Sequence, residues 1–164
     1  MVTGLDLSLT STGVVTLFDD DRDPVSKAIQ TKSKGEERLV TIENEISNHL
    51  MEYPPKLVVI EGYAYGSKHN REACGELGGV VKTSLFLCEH GFIVVPPARL
   101  KKFAGAKKKD QIRLQVYKRW GFEAKTDDEI DAYVLAKIGM AYLGYEDDLT
   151  KAQREVVDDM KEVE

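Results

Sequence analysis

No stretch of this chain approaches the roughly 20 consecutive apolar residues that a membrane-crossing helix needs. The N-terminus lacks the basic-then-apolar layout of a secretory signal, and strand-like sequence begins at Val2. A membrane role is therefore not expected. Cysteine is scarce: only Cys74 and Cys88 occur, 14 residues apart in one expected helix. That usage suits two reduced, packing thiols in a cytosolic protein rather than a disulfide framework. There are three histidines, and no Cys/His spacing resembles a zinc site. No internal repeat is visible. Apolar residues, by contrast, make up 42% of the 164 positions. That is enough for one domain with a real core and too little for two comfortable ones.

Positive charge is also short overall. The formal net charge is -5, which at first argues against a nucleic-acid partner, but its distribution argues otherwise. Residues 145–164 hold eight acids and three bases, so this tail carries the whole excess and residues 1–144 are neutral. We read 1–144 as the globular domain and 145–164 as an acidic tail or peripheral helix. Within the neutral part, residues 99–119 hold nine bases and a single acid, Asp110. A charge of +8 over 21 residues, without interspersed acids, is a patch suited to phosphate. Arg99, Lys101, Lys102, Lys107, Lys108, Lys109 and Arg113 are its candidate DNA contacts.

Hydrophobic periodicity predicts the elements. Val2–Leu7 and Val14–Phe18 read as strands around the turn Ser8–Gly13, and a third strand near Ser26–Thr31 follows an acidic turn. Glu36–Met51 reads as a helix, with Leu39, Ile42, Ile46 and Leu50 at spacings of three and four. Leu57–Glu61 is a continuous apolar run, typical of a strand buried on both faces. A loop over Gly62–Asn70, a helix over Arg71–His90 and a strand at Phe92–Val95, ended by Pro96-Pro97, come next. Short helices are expected at Ala98–Phe103 and Asp110–Trp120, and the last core helix from Asp127 or Asp128 to about Leu143. Three strands followed by alternating helices and strands imply an α/β domain, a mixed sheet with helices on both faces.

Four acids stand out against this frame. Asp6 lies in an apolar strand between Leu5 and Leu7, where an uncompensated carboxylate is costly. Glu61 ends the Leu57–Glu61 strand, and Asp128 and Asp131 are three apart at a helix start, on one face. If the two strands are neighbours and the helix crosses them, the four converge. An all-oxygen set suits Mg²⁺ or Mn²⁺ and not zinc. Such a cage can hold two ions roughly 3.5–4 Å apart, the arrangement of phosphodiester-cleaving sites. Each acid also has a structural reading. Thr126, Asp127 and Asp128 compete for the helix N-cap, Asp131 suits the helix dipole, and Glu61 could simply face water. Spacing alone leaves open whether Asp127 or Asp128 is the ligand.

The segment Gly4-Leu5-Asp6-Leu7-Ser8-Leu9-Thr10-Ser11-Thr12-Gly13 resembles the opening motif of the RuvC family of Holliday-junction resolvases. Val58-Val59-Ile60-Glu61-Gly62 is similar to its second acidic motif, and Asp128-Glu129-Ile130-Asp131 with the apolar residues after it to its third. The three occur in the family's order and span residues 2 to about 143. The resemblance implies a ribonuclease H-like fold with a central mixed five-stranded sheet. It implies a metal-dependent homodimeric endonuclease that cuts four-way DNA junctions and leaves 5′-phosphate and 3′-hydroxyl ends. Asp6, Glu61, Asp128 and Asp131 map onto its ligands for two Mg²⁺ ions, with Mn²⁺ able to substitute and no nucleotide cofactor. Lys102 and Lys109 match best the positions of its functional lysines. Tyr63 and Tyr65 fall in a loop where the family places an aromatic that can stack on an unpaired base. The Arg71–His90 helix, with Gly75, Gly78 and Gly79, corresponds to the family's dimer interface. The small size and acidic tail resemble phage-encoded members, which implies the cytoplasm, that of the host, as location.

Two other readings use the same residues. The Gly-x-Asp-x-Ser-x-Thr-Ser-Thr-Gly segment also resembles the phosphate hairpin of actin-like ATPases and sugar kinases. Those proteins need a second such domain, and this chain has no second hairpin or adenosine motif. A non-catalytic branched-DNA-binding protein is the other alternative, and the intact set of four acids speaks against it. Cleavage sequence, the choice among junctions, forks, flaps and three-way branches, any helicase partner and the tail's role are not legible in the sequence.

Overall fold

The computed structural model describes residues 1–62 and 71–161. Strand β1 (Val2–Asp6) is buried at every residue because it is the middle strand of five. β2 (Thr12–Leu17) and β3 (Val25–Ile29) continue from it as antiparallel neighbours, and β4 (Leu57–Glu61) and β5 (Phe92–Val95) extend the other side in parallel. The order β3-β2-β1-β4-β5 is the mixed five-stranded sheet expected from the sequence. Its parallel half requires long crossovers, which helices α1 (Gly35–Glu52) and α2 (Arg71–Leu87) supply.

Strand side chains alternate between two layers. Leu5, Val14, Val58 and Ile60 meet Ile42, Ile46 and Leu50 of α1 and Leu77, Val81 and Leu85 of α2. Val2, Val15, Leu17, Leu57 and Val59 belong to the opposite core. That core is closed by α3 (Pro97–Ala104), α4 (Ile112–Trp120), α5 (Asp127–Tyr142) and α6 (Lys151–Lys161). No described helix is long and apolar enough to cross a membrane.

Some boundaries differ from expectation for local reasons. Pro97 opens α3 instead of ending a strand, because the first helical position needs no N–H donor. Gly105 caps α3 at φ 74°, which forces the break before the next helix. A single 3-10 turn, Lys109–Gln111, then precedes α4. In the acidic tail, Val156, Val157 and Met160 of α6 join the α5-side core. The buried Gln153 amide donates to the Phe103 carbonyl at 3.1 Å. The acidic side of α6 meets α3, with Lys102 Nζ 2.9 Å from Glu155 and the Arg99 guanidinium 4.0 Å from Asp159.

Candidate active site

β1 and β4 run parallel with Leu5 opposite Ile60, so Asp6 and Glu61, one residue further along each strand, emerge together at the carboxyl ends. Both follow the strand alternation of Gly4 and Val59, the residues that face α5. The helix reaches them because glycines let it come close. A Cβ on Gly4 would stand 2.0 Å from the Ala132 carbonyl oxygen, and one on Gly13 would stand 2.0 Å from that of Asp128. No larger residue fits at either position without moving α5. With the helix pressed against β1 and β2, Asp131 arrives between the strand ends. One carboxylate oxygen each from Asp6, Glu61 and Asp131 then lies within 4.8 Å of the others.

The cluster is electrostatically uncomfortable by itself. Asp6 and Asp131 are 6% and 3% exposed. Burial, then the charge of Glu61, a hydrogen bond with it, and the charge of Asp131 push the Asp6 carboxyl well above the usual range, while Lys109 pulls the other way. Burial likewise raises Asp131 to about 6, with the Lys109 ammonium opposing it and the Glu61 charge adding to it. Lys109 Nζ stands 3.2 Å from Asp131 Oδ2. Burial works against its charge, but Asp131, Asp6 and Glu61 outweigh this and hold it above the ordinary lysine value. Among the described residues, one ammonium faces three carboxylates, which leaves a deficit of positive charge. Buried like charges of this kind are what a bound cation compensates. The all-oxygen donors fit a hard divalent ion.

The remaining candidates separate. Asp128 is half-buried and is not among the three residues that converge within that distance. Asp127 is exposed and turned away, paired with Arg113 at 2.8 Å. The Arg113 guanidinium also donates to the Ala124 carbonyl at 2.7 Å, so it braces the loop before α5. Thr126 takes the N-cap: its hydroxyl accepts from the Glu129 amide at 3.2 Å. Lys102 pairs with Glu155 of α6, while Lys101 is half-buried and Lys107 and Lys108 are exposed. Tyr63 and Tyr65 lie outside the described residues.

Glu129 escaped the sequence reading although it is only 6% exposed. Its Oε2 accepts from the Thr126 amide at 3.0 Å and the Thr126 hydroxyl at 2.9 Å. Its Oε1 accepts from the Ser26 hydroxyl of β3 at 2.7 Å. The Thr-x-x-Glu spacing of a capping box was the available signal. The tie to Ser26, 103 positions away, left none.

No protein-family profile matches this chain, and no curated protein sequence does. Among solved structures the fold is that of ribonuclease H-like Holliday-junction resolvases. Thermus thermophilus RuvC, solved in complex with a Holliday-junction substrate, is 19% identical, with a TM-score of 0.68, covering 88% of this chain and 96% of its own. The yeast mitochondrial Holliday-junction resolvase Ydc2 is 10% identical, with a TM-score of 0.60 and coverages of 99% and 82%. The Fowlpox virus resolvase, solved with Holliday-junction DNA, is 16% identical, with a TM-score of 0.54 and coverages of 86% and 99%.

Proposed function

We propose that this chain is a metal-dependent, structure-selective DNA endonuclease that cleaves four-way junctions. The observation that carries the reading is the convergence of Asp6, Glu61 and Asp131 at the strand ends of a fold shared with junction resolvases. Asp6, Glu61 and Asp131, joined by Asp128 from the same helix end, are the residues that would hold Mg²⁺ or Mn²⁺, two ions per site. Divalent ions bound there supply an activated water and counter-charge for the departing 3′ oxygen. The reaction leaves a 5′-phosphate and a 3′-hydroxyl.

The protein's own groups divide the remaining work. Lys109, already beside Asp131, offsets negative charge that grows on the scissile phosphate. Lys101, Lys107 and Lys108 bind backbone phosphates of the arms and make affinity fall with salt, and Arg99, Lys102 and Arg113 join them by exchanging their ion pairs with Asp159, Glu155 and Asp127 for phosphate. Tyr63 and Tyr65 stack on unpaired bases near the junction centre.

A two-fold homodimer presents two such sites to symmetry-related strands. Helix α2 supports that assembly. A Cβ on Gly79 would meet none of the described residues within 4 Å, although glycine inside a helix costs about 1 kcal/mol relative to alanine. Phe86 and Leu87 of the same helix are 76% and 73% exposed. Residues 1–144 carry the nuclease site, α6 closes the core beneath it, and the enzyme acts in the cytoplasm.

A panel of four-way junctions, forks, flaps and linear duplexes, incubated with Mg²⁺ or Mn²⁺, tests this reading. The wild type should cut the junction and spare linear DNA. Asp6→Asn should bind the junction and leave it intact. Junction cleavage by Asp6→Asn, or none by the wild type with either ion, would sink the proposal.

A further inference from the structure

We infer that Glu129 is a positioning residue for the carboxylate cluster, acting through helix α5 and anchored by Ser26. This rests on the metal-dependent reading above and adds to it a residue that touches neither substrate nor ion.

Two of the converging acids need no such help. Asp6 and Glu61 are fixed by adjacent hydrogen-bonded strands. Asp131 sits on a helix that lies over the sheet without pairing with it. Its place depends on how far that helix rolls about its axis and how firmly its first turn is held. Gly4 and Gly13 set the closeness of approach, but close packing against glycine does not oppose rolling.

Glu129 does oppose it. Two residues apart on a helix is about 200° of rotation, so Glu129 and Asp131 lie on nearly opposite sides of α5. The sheet order puts β3 on one side of β2 and β1, and β4 on the other. Glu129 is tied toward β3 through the Ser26 hydroxyl at 2.7 Å, while Asp131 reaches toward Asp6 and Glu61. The same carboxylate closes the capping box on the Thr126 amide and hydroxyl. One buried side chain thus prevents the first turn from fraying and pins the side of the helix that faces away from the site. Without it, three mutually repelling carboxylates can relax by rolling Asp131 outward.

The test uses the full chain and its binding of Mn²⁺, followed by the paramagnetic resonance signal of the free ion, with no DNA present. Glu129→Ala should weaken Mn²⁺ affinity about tenfold, the low end for residues that support metal ligands. Ser26→Ala, on a strand that carries none of the proposed ligands, should produce a smaller but measurable weakening with little change in melting temperature. Glu129→Gln should recover affinity, since its carbonyl can accept from Thr126 and its amide can donate to Ser26. In cleavage assays at one fixed Mn²⁺ concentration, kcat should fall in both alanine variants while KM for the junction stays. Wild-type Mn²⁺ affinity in either alanine variant overturns the inference, even if the melting temperature drops, because the residue then only caps a helix. Should Glu129→Ala fail to fold, Ser26→Ala decides alone. A wild type that binds no Mn²⁺ overturns the metal-dependent reading itself, which separates the two failures.

Discussion

On the α1 face of β1, the Thr3 and Thr16 hydroxyls hydrogen-bond at 2.7 Å, and Thr16 meets the His49 ring at 2.8 Å. On the α5 face of the same strand, Asp6 meets Glu61 and Asp131. Both are polar triads, the first buried throughout and the second buried at Asp6 and Asp131 and half-buried at Glu61, and they are built on opposite principles. The first is neutral, and each member has a partner within the triad. Burial holds His49 down to about 4, so its ring stays uncharged at neutral pH. The second gathers three acids around one lysine and pushes Asp6 and Asp131 toward protonation. A satisfied network stabilises a fold. An unsatisfied one costs stability and is retained where function requires it.

The contrast can be broken at either triad. Lys109→Ala removes the ammonium paired with Asp131 and should lower junction cleavage about 100-fold, with junction affinity, measured by gel shift, nearly unchanged. Equal loss of cleavage and affinity would place Lys109 on the DNA path instead of at the reaction.

Acid titration sharpens the contrast, because the two triads respond with opposite sign. His49 is depressed in the fold from 6.5 to about 4. Its contribution is complete above about 6.5 and is lost as pH falls toward 4, up to about 3 kcal/mol in total. Asp131 is raised from 3.8 to about 6, so its stability is lost as pH rises through 6 and regained in acid. Denaturant melts of metal-free His49→Gln between pH 7 and 4 should therefore lack the acid loss, and the variant should cleave junctions like the wild type at pH 7.5. An unchanged acid loss would remove His49 as its source.

The smallest expected effect lies outside both triads. Lys107→Glu with Lys108→Glu should weaken junction binding and flatten its slope against salt, by about one in log-log terms for each phosphate no longer neutralised. Melting temperature should stay put. A salt titration identical to that of the wild type would take this segment off the DNA surface.

How much of this was readable from sequence depended on how local the cause is. Asp6 and Glu61 were legible because apolar strands flank them; the three-residue spacing on one helix face pointed to Asp128 and Asp131 together, and only Asp131 joins the cluster. The choice between Lys102 and Lys109 was not. Both sit in lysine runs, and what separates them is Glu155 on α6, 53 positions from Lys102. The N-cap was ambiguous among three adjacent candidates until Glu129 closed a box on Thr126. Helix α6 looked peripheral because its apolar residues, Val156, Val157 and Met160, are few and gain meaning only against the core they cover. Ser26 carried no local signal at all.

The central claim is that the acidic triad is incomplete without a divalent cation, and Asp131→Asn tests it most directly. Thermal melts of wild type and variant at pH 7.5, with and without Mg²⁺ or Mn²⁺, are compared. The variant loses one buried charge and should be more stable than the metal-free wild type by up to about 3 kcal/mol. Metal should raise the wild-type melting temperature and leave the variant's unchanged. A variant less stable than the metal-free wild type, together with a wild type indifferent to both ions, would contradict the account.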